Sequence, residues 1–118
     1  MANDRMKVGI IGCGNIAQAY FNGFKMFPQA IEAVACADLN MQAAEAKAKE
    51  NGVRALTVDQ LLADPSIGLV VNLTVPAVHA EVDRQVLAAG KHVHSEKPFA
   101  VEREDGRQVL ELARQRKL

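Results

Sequence analysis

Apolar positions along the chain follow two alternating rhythms. Short runs rich in β-branched residues have the length and content of strands: KVGIIG (7–12), AIEAVACAD (30–38), RAL (54–56), LVVNLT (69–74) and HVHS (92–95). Between them the apolar residues recur at helical spacing. Ile16, Tyr20, Phe24 and Phe27 stand four, four and three apart, which predicts one apolar helix face. Val78, Val82 and Val86 repeat the pattern in the fourth unit, and a last helix over about 102–116 would turn Val109, Leu112 and Ala113 inward.

The punctuation agrees with this reading. Pro28 closes the first helix, and Gly52 and Gly90 stand where a left-handed cap is wanted. Asn40 and Asp59 are N-cap candidates. Glu45 and Lys49 form an i, i+4 pair of small value. Strand and helix in strict alternation imply right-handed crossovers and a parallel sheet covered on both faces. The central runs are continuously apolar, as burial on both faces requires. The expected fold is α/β: a doubly wound parallel sheet in three αβα layers, of strand order 3-2-1-4-5.

Composition narrows the function. The 118 residues make one domain, 49% hydrophobic and 24% charged. Fourteen Lys and Arg balance fourteen Asp and Glu, so no basic field invites nucleic acid or an anionic membrane surface. At 4%, aromatics are too few for a base-stacking platform. The start, with Asp4, reads as neither a leader nor a membrane span, and no run reaches the roughly 20 apolar residues of a membrane helix. Cys13 and Cys36 lack metal-type spacing and are read as buried free thiols of a cytoplasmic protein. His92 and His94 point to the same side of a strand with no third metal ligand at suitable spacing, so no metal site is assigned. Ser95 has no evident base.

The chemistry lies in the turns that follow the strands. GCGNIA (12–17) joins the first strand to the first helix. Gly12 permits a tight turn, Gly14 lets a phosphate approach the backbone, and Ala17 lets helix pack close on strand. Free N–H groups at the helix start, around Asn15 and Ile16, would face a pyrophosphate. Asp38 ends the second strand where a carboxylate can accept hydrogen bonds from an adenosine ribose. It would repel a 2′-phosphate, and Leu39 and Asn40 follow rather than arginine, so NAD is favoured over NADP. Capping of the next helix is a second role open to Asp38. In the expected strand order, three gaps of about 4.8 Å span about 14 Å, comparable to an extended dinucleotide. The loop bearing Thr74, Val75, Pro76 and His79 would then border the nicotinamide. HSEKPF (94–99) would stand at the reacting end, with Lys97 where a substrate oxygen meets the hydride acceptor.

With VGIIGCGNIA, ACAD, NLTVPAVHAEV and above all GKHVHSEKPFAV, the sequence resembles the N-terminal NAD(P)-binding Rossmann domain of the Gfo/Idh/MocA oxidoreductases over essentially its whole length. Gly68, where relatives often carry Asp, is a departure that bears on a turn. The resemblance implies that Lys97 is catalytic or positions substrate, that Glu96 lies near the nicotinamide ribose, and that Pro98 fixes the backbone aiming Lys97. It also implies that His79 belongs to the loop beside the nicotinamide. Hydride would pass between a carbinol carbon and the nicotinamide while a base takes the hydroxyl proton, a step for which a lysine is suited. The substrate class implied is a sugar, polyol or related carbinol.

Members of that family carry a second, C-terminal domain, which is absent from residues 1–118, as is a sixth strand. The chain is therefore expected to be the cofactor domain of a longer enzyme, with a stand-alone NAD-binding sensor as the alternative and a purely structural domain as a third. The open edge of the fifth strand favours a homo-oligomer.

Overall fold

Residues 5–118 are described by the computed structural model, and in them strand and helix alternate throughout. The order is β1 (Met6–Ile11), α1 (Ala17–Phe24), β2 (Ile31–Ala37), α2 (Met41–Asn51), β3 (Arg54–Leu56), α3 (Val58–Ala63), β4 (Leu69–Asn72), α4 (His79–Ala88), β5 (His92–Ser95) and α5 (Arg103–Arg116). A single 3-10 turn, Pro76–Val78, leads into α4. The five strands form one sheet of order β3-β2-β1-β4-β5, every neighbouring pair parallel. The polar start around Asp4 lies outside the described residues.

The strands divide the core by simple alternation. Val8 and Ile10 of β1 join Cys36, Val71, Phe21, Ala44 and Ala48 in a cluster under α1 and α2. Ile11 joins Ala35, Ala37, Val70, Leu61 and Val86 in a cluster under α3 and α4. A third, smaller cluster of Ala80, Leu87 and Val109 fastens α5 to α4. Small residues set how close the layers come: a Cβ on Gly9 would lie 3.0 Å from the Leu61 side chain. The alanines of α2 and β2 act in the same way, giving close approach where larger side chains would need space.

Several local expectations are corrected by packing. The buried face of α1 is Ala17 and Phe21, with Tyr20 and Phe24 half-buried beside them. Ile16 and Phe27 are 43% and 59% exposed, because Ile16 stands at the rim before the helix and Phe27 lies in the turn after it. The helix therefore ends at Phe24, four residues before Pro28. The cap of α3 is Thr57, not Asp59. Its hydroxyl accepts from Gln60 N at 3.1 Å while the Gln60 side chain accepts from Thr57 N at 3.0 Å, a reciprocal capping box. Asp59 occupies the first turn instead, where a negative charge still favours the helix dipole. On α2 the ion pair formed is Lys47–Glu50 at 3.3 Å, in place of Glu45 with Lys49. Asn40 does cap α2, accepting from Gln42 N and Ala43 N, and Gly52 closes it at φ 68°.

Replacing Thr57 with alanine removes one side of the capping box and should lower the unfolding free energy by about 1 kcal/mol. Urea unfolding measures this directly. A loss too small to resolve would show that the box contributes nothing to α3.

Candidate functional site

Parallel strands send all their carboxyl ends to one rim, so the turns after β1, β2, β4 and β5 are neighbours although they lie far apart in the chain. That rim holds Gly12–Ile16, Asp38, Thr74–Pro76 and Glu96–Pro98. A groove of about 500 Å³ runs along it. Of the residues expected at the site, Gly12, Gly14, Asp38, Thr74 and Val75 line this groove. Asn15 and Ile16 are exposed at the entrance to α1, and Glu96, Lys97 and Pro98 occupy the adjoining turn.

Gly12 is required twice over. Its φ is +105°, and a Cβ there would stand 2.6 Å from the Leu73 carbonyl carbon. Gly14 differs, since a Cβ on it would meet nothing within 4 Å; its bareness leaves the loop open toward the groove. Among the described residues no side chain caps α1, and its first turn has no acidic residue, an arrangement that suits an anion at its amino end.

Asp38 binds the glycine loop to the start of α2. One carboxylate oxygen accepts from Cys13 N at 2.7 Å and the other from Asn40 N at 2.8 Å. Each oxygen keeps a second lone pair for a ligand hydroxyl. The side chains of Leu39, Val58, Leu73, Val78 and Val82 supply apolar walls that the strand-end motifs do not mark. Leu39 carried a faint signal: a large apolar residue in a polar turn, it is 96% exposed. The acids lining the groove are Asp38, Asp59 and Glu81, with no lysine or arginine among the lining residues described.

A family model described as an oxidoreductase family with an NAD-binding Rossmann fold matches residues 6–118. The chain belongs to that family. It is 39% identical over 100 residues to glucose-6-phosphate 3-dehydrogenase of Bacillus subtilis, covering 84% of this chain and 28% of that protein. The WlbA dehydrogenase from Bordetella pertussis, solved in complex with NADH and UDP-GlcNAcA, superposes with a TM-score of 0.92 at 27% identity, over 97% of this chain and 35% of its own. KijD10, a 3-ketoreductase from Actinomadura kijaniata solved with NADP and TDP-benzene, gives 0.90 at 28% identity, over 97% and 35%. The chain thus spans about a third of the length of the proteins it matches. Among the described residues no helix is long and apolar enough to cross a membrane.

Beneath the rim lies a buried polar network. Asn72, at the end of β4, donates to Asp83 Oδ1 at 2.8 Å and to the His79 carbonyl at 3.0 Å. Its own oxygen accepts from Thr74 N at 3.1 Å and from the Thr74 hydroxyl at 2.6 Å. The His79 ring is 1% exposed, with Nδ1 2.7 Å from the Pro98 carbonyl and Nε2 2.5 Å from the Thr74 carbonyl. His79 therefore joins the β4 and β5 turns from below, its two nitrogens already engaged, rather than lining the groove. Carbonyl oxygens only accept, so both contacts are hydrogen bonds together only when both nitrogens carry hydrogen. The Lys97–Pro98 peptide is cis, and Lys97 is exposed, with its charge close enough to favour the ionised Glu96 carboxylate.

Cys13 and Cys36 come together in the core as free thiols, and the sulfur contact followed by burial pushes Cys13 up. His92 and His94 lie on the exposed side of β5, with His94 against Tyr20. Tyr20, read from the sequence as part of an apolar face, donates its hydroxyl to Glu96.

Burial raises the Asp83 carboxyl above its ordinary range, against the opposing pull of Asn72. A carboxyl raised in the folded state adds stability that is complete below its unfolded value and is lost as pH climbs through the folded one. Relative to Asp83→Asn, which keeps an oxygen for Asn72 but carries no charge, the native chain should lose stability as pH rises from about 4. Urea unfolding of both proteins across that range reads the difference; a constant offset would show that Asp83 does not titrate within the network.

Proposed function

We propose that this chain is the cofactor-binding domain of an NAD-dependent dehydrogenase acting on a sugar, polyol or related carbinol. The observation that carries the reading is the placement of the glycine loop and Asp38 along a groove with apolar walls, on the same sheet rim as the Lys97 turn. In this reading the adenosine half lies in that groove, its ribose on Asp38 and its pyrophosphate on the backbone from Gly12 to Ile16. Thr74, Val75 and Pro76 flank the nicotinamide half. Glu96 lies near its ribose, and His79 supports both turns from below.

The nicotinamide, when bound, supplies the hydride acceptor. Lys97 contacts the substrate oxygen: as the neutral amine it takes up the hydroxyl proton, and as the ammonium it stabilises negative charge forming there.

NAD is the cofactor proposed because Asp38, Asp59 and Glu81 line the groove, with no lysine or arginine among its described lining residues, a poor setting for a 2′-phosphate. The relative solved with NADP makes this the finer part of the proposal. Since the chain spans about a third of its relatives' length, turnover is proposed for a longer protein that contains it.

Calorimetric titration should show NAD binding more tightly than NADP; the reverse order would remove Asp38 from cofactor choice. In the longer enzyme, Lys97→Ala should reduce kcat by about a hundredfold or more while the Kd for NAD stays within about twofold. Undiminished turnover in that variant would take Lys97 out of the mechanism.

A further inference from the structure

Tyr20 lies on α1, the helix whose amino end faces the groove, yet its hydroxyl reaches the turn after β5, 76 residues away. There it donates to Glu96 Oε2, while Glu96 Oε1 accepts from Lys97 N at 3.1 Å. Both oxygens of one carboxylate are thus held, one by the first helix and one by the backbone of the lysine proposed to act. The phenol ring is fixed in turn: it meets Phe24 edge-on at a centroid distance of 6.2 Å and tilts against His94 at 6.0 Å. The His94 Nε2 atom is 3.4 Å from the hydroxyl.

A glutamate at an open rim otherwise samples several rotamers, and ordering it on a ligand costs conformational entropy. A donor fixed by packing removes much of that cost before the ligand arrives. The second lone pair on each carboxylate oxygen remains open to a ribose hydroxyl.

We propose that Tyr20 is a positioning residue that holds the Glu96 carboxylate, and through it the Glu96–Lys97 turn, ready for the nicotinamide riboside half of the cofactor. This rests on the cofactor reading above and adds to it a link between the helix at the pyrophosphate and the turn at the reacting end. Tyr20 takes no part in the chemistry; it acts through Glu96.

The chain contains one tyrosine and no tryptophan, so near-ultraviolet absorbance reports this side chain alone. The bond to Glu96, then burial, then the Glu96 charge push the Tyr20 hydroxyl up to about 12. Phenolate absorbance should therefore appear only near that value in the native chain and move toward the ordinary 10 in Glu96→Gln. Ionisation near 10 in the native chain would show that the bond is absent.

The role is tested by titrating NAD and ADP, which lacks the nicotinamide riboside, into the native chain and Tyr20→Phe. That variant keeps the ring and its packing, and equal urea midpoints would confirm its fold. NAD should bind Tyr20→Phe about three- to tenfold more weakly while ADP binds both proteins alike. Equal losses for both nucleotides, or none, overturn the proposal while leaving the cofactor reading in place. Failure of the native chain to bind either nucleotide overturns the cofactor reading and this proposal together.

Discussion

The close approach of two strand ends governs the rim. As β1 runs out, Gly12 passes so near the backbone of Leu73 and Thr74 that any side chain would penetrate it. The ladder continues at this point, with Gly12 N donating to Ala37 O at 2.8 Å and Leu73 N to Ile11 O at 2.8 Å. The glycine loop is therefore locked between the ends of β2 and β4. Through the Cys13 amide it also dictates where the Asp38 carboxylate sits. An alanine at Gly12 would have to resolve both an unfavourable φ and a backbone collision, and either would displace the loop.

A second layer of order stands behind the first. Most of the interior is apolar, but under the rim the chain buries Asn72, Asp83 and His79 together. Burying such groups is costly unless they are paired, and most of their polar atoms are. Among the described residues the exception is Asp83 Oδ2, and beside it the Ser95 Oγ likewise meets no partner at full hydrogen-bond geometry. They lie near enough for the hydroxyl to favour the charged carboxylate. An apolar core would hold the strands equally well. What the polar network adds is direction: it joins the turn carrying Thr74 to the turn carrying Pro98, and so aligns two loops from different strands. Tyr20 performs a related task from above the sheet.

Much of the architecture was legible because it depends on periodicity. The five strands and the inner face of α5 follow from apolar runs and helical spacing; the strand order was an expectation of the doubly wound fold, and the structure has it. Asn40 and Gly52 act as expected because capping is decided within a few residues. The failures share a cause. Ile16 and Phe27 fit a helical stripe, but the helix is shorter than the stripe, so they fall outside it. Asp59 looked like a cap, yet Thr57 had the glutamine three residues on that completes the reciprocal bond. Tyr20 was placed by its apolar ring, whereas its hydroxyl determines its partner.

The amino-acid sequence by itself determined the alternating fold, the glycine turn, the acidic end of β2 and the presence of a lysine after β5. Those properties are local or periodic, and neighbouring residues suffice to express them. Only the tertiary structure decided that the His79 nitrogens face two carbonyls, that Cys13 and Cys36 meet, that Asp38 holds the glycine loop, and that Tyr20 reaches Glu96. Each of these joins segments whose separation along the chain carries no record of their distance in space. Contacts of that kind exist only once the crossovers have brought the strand ends together.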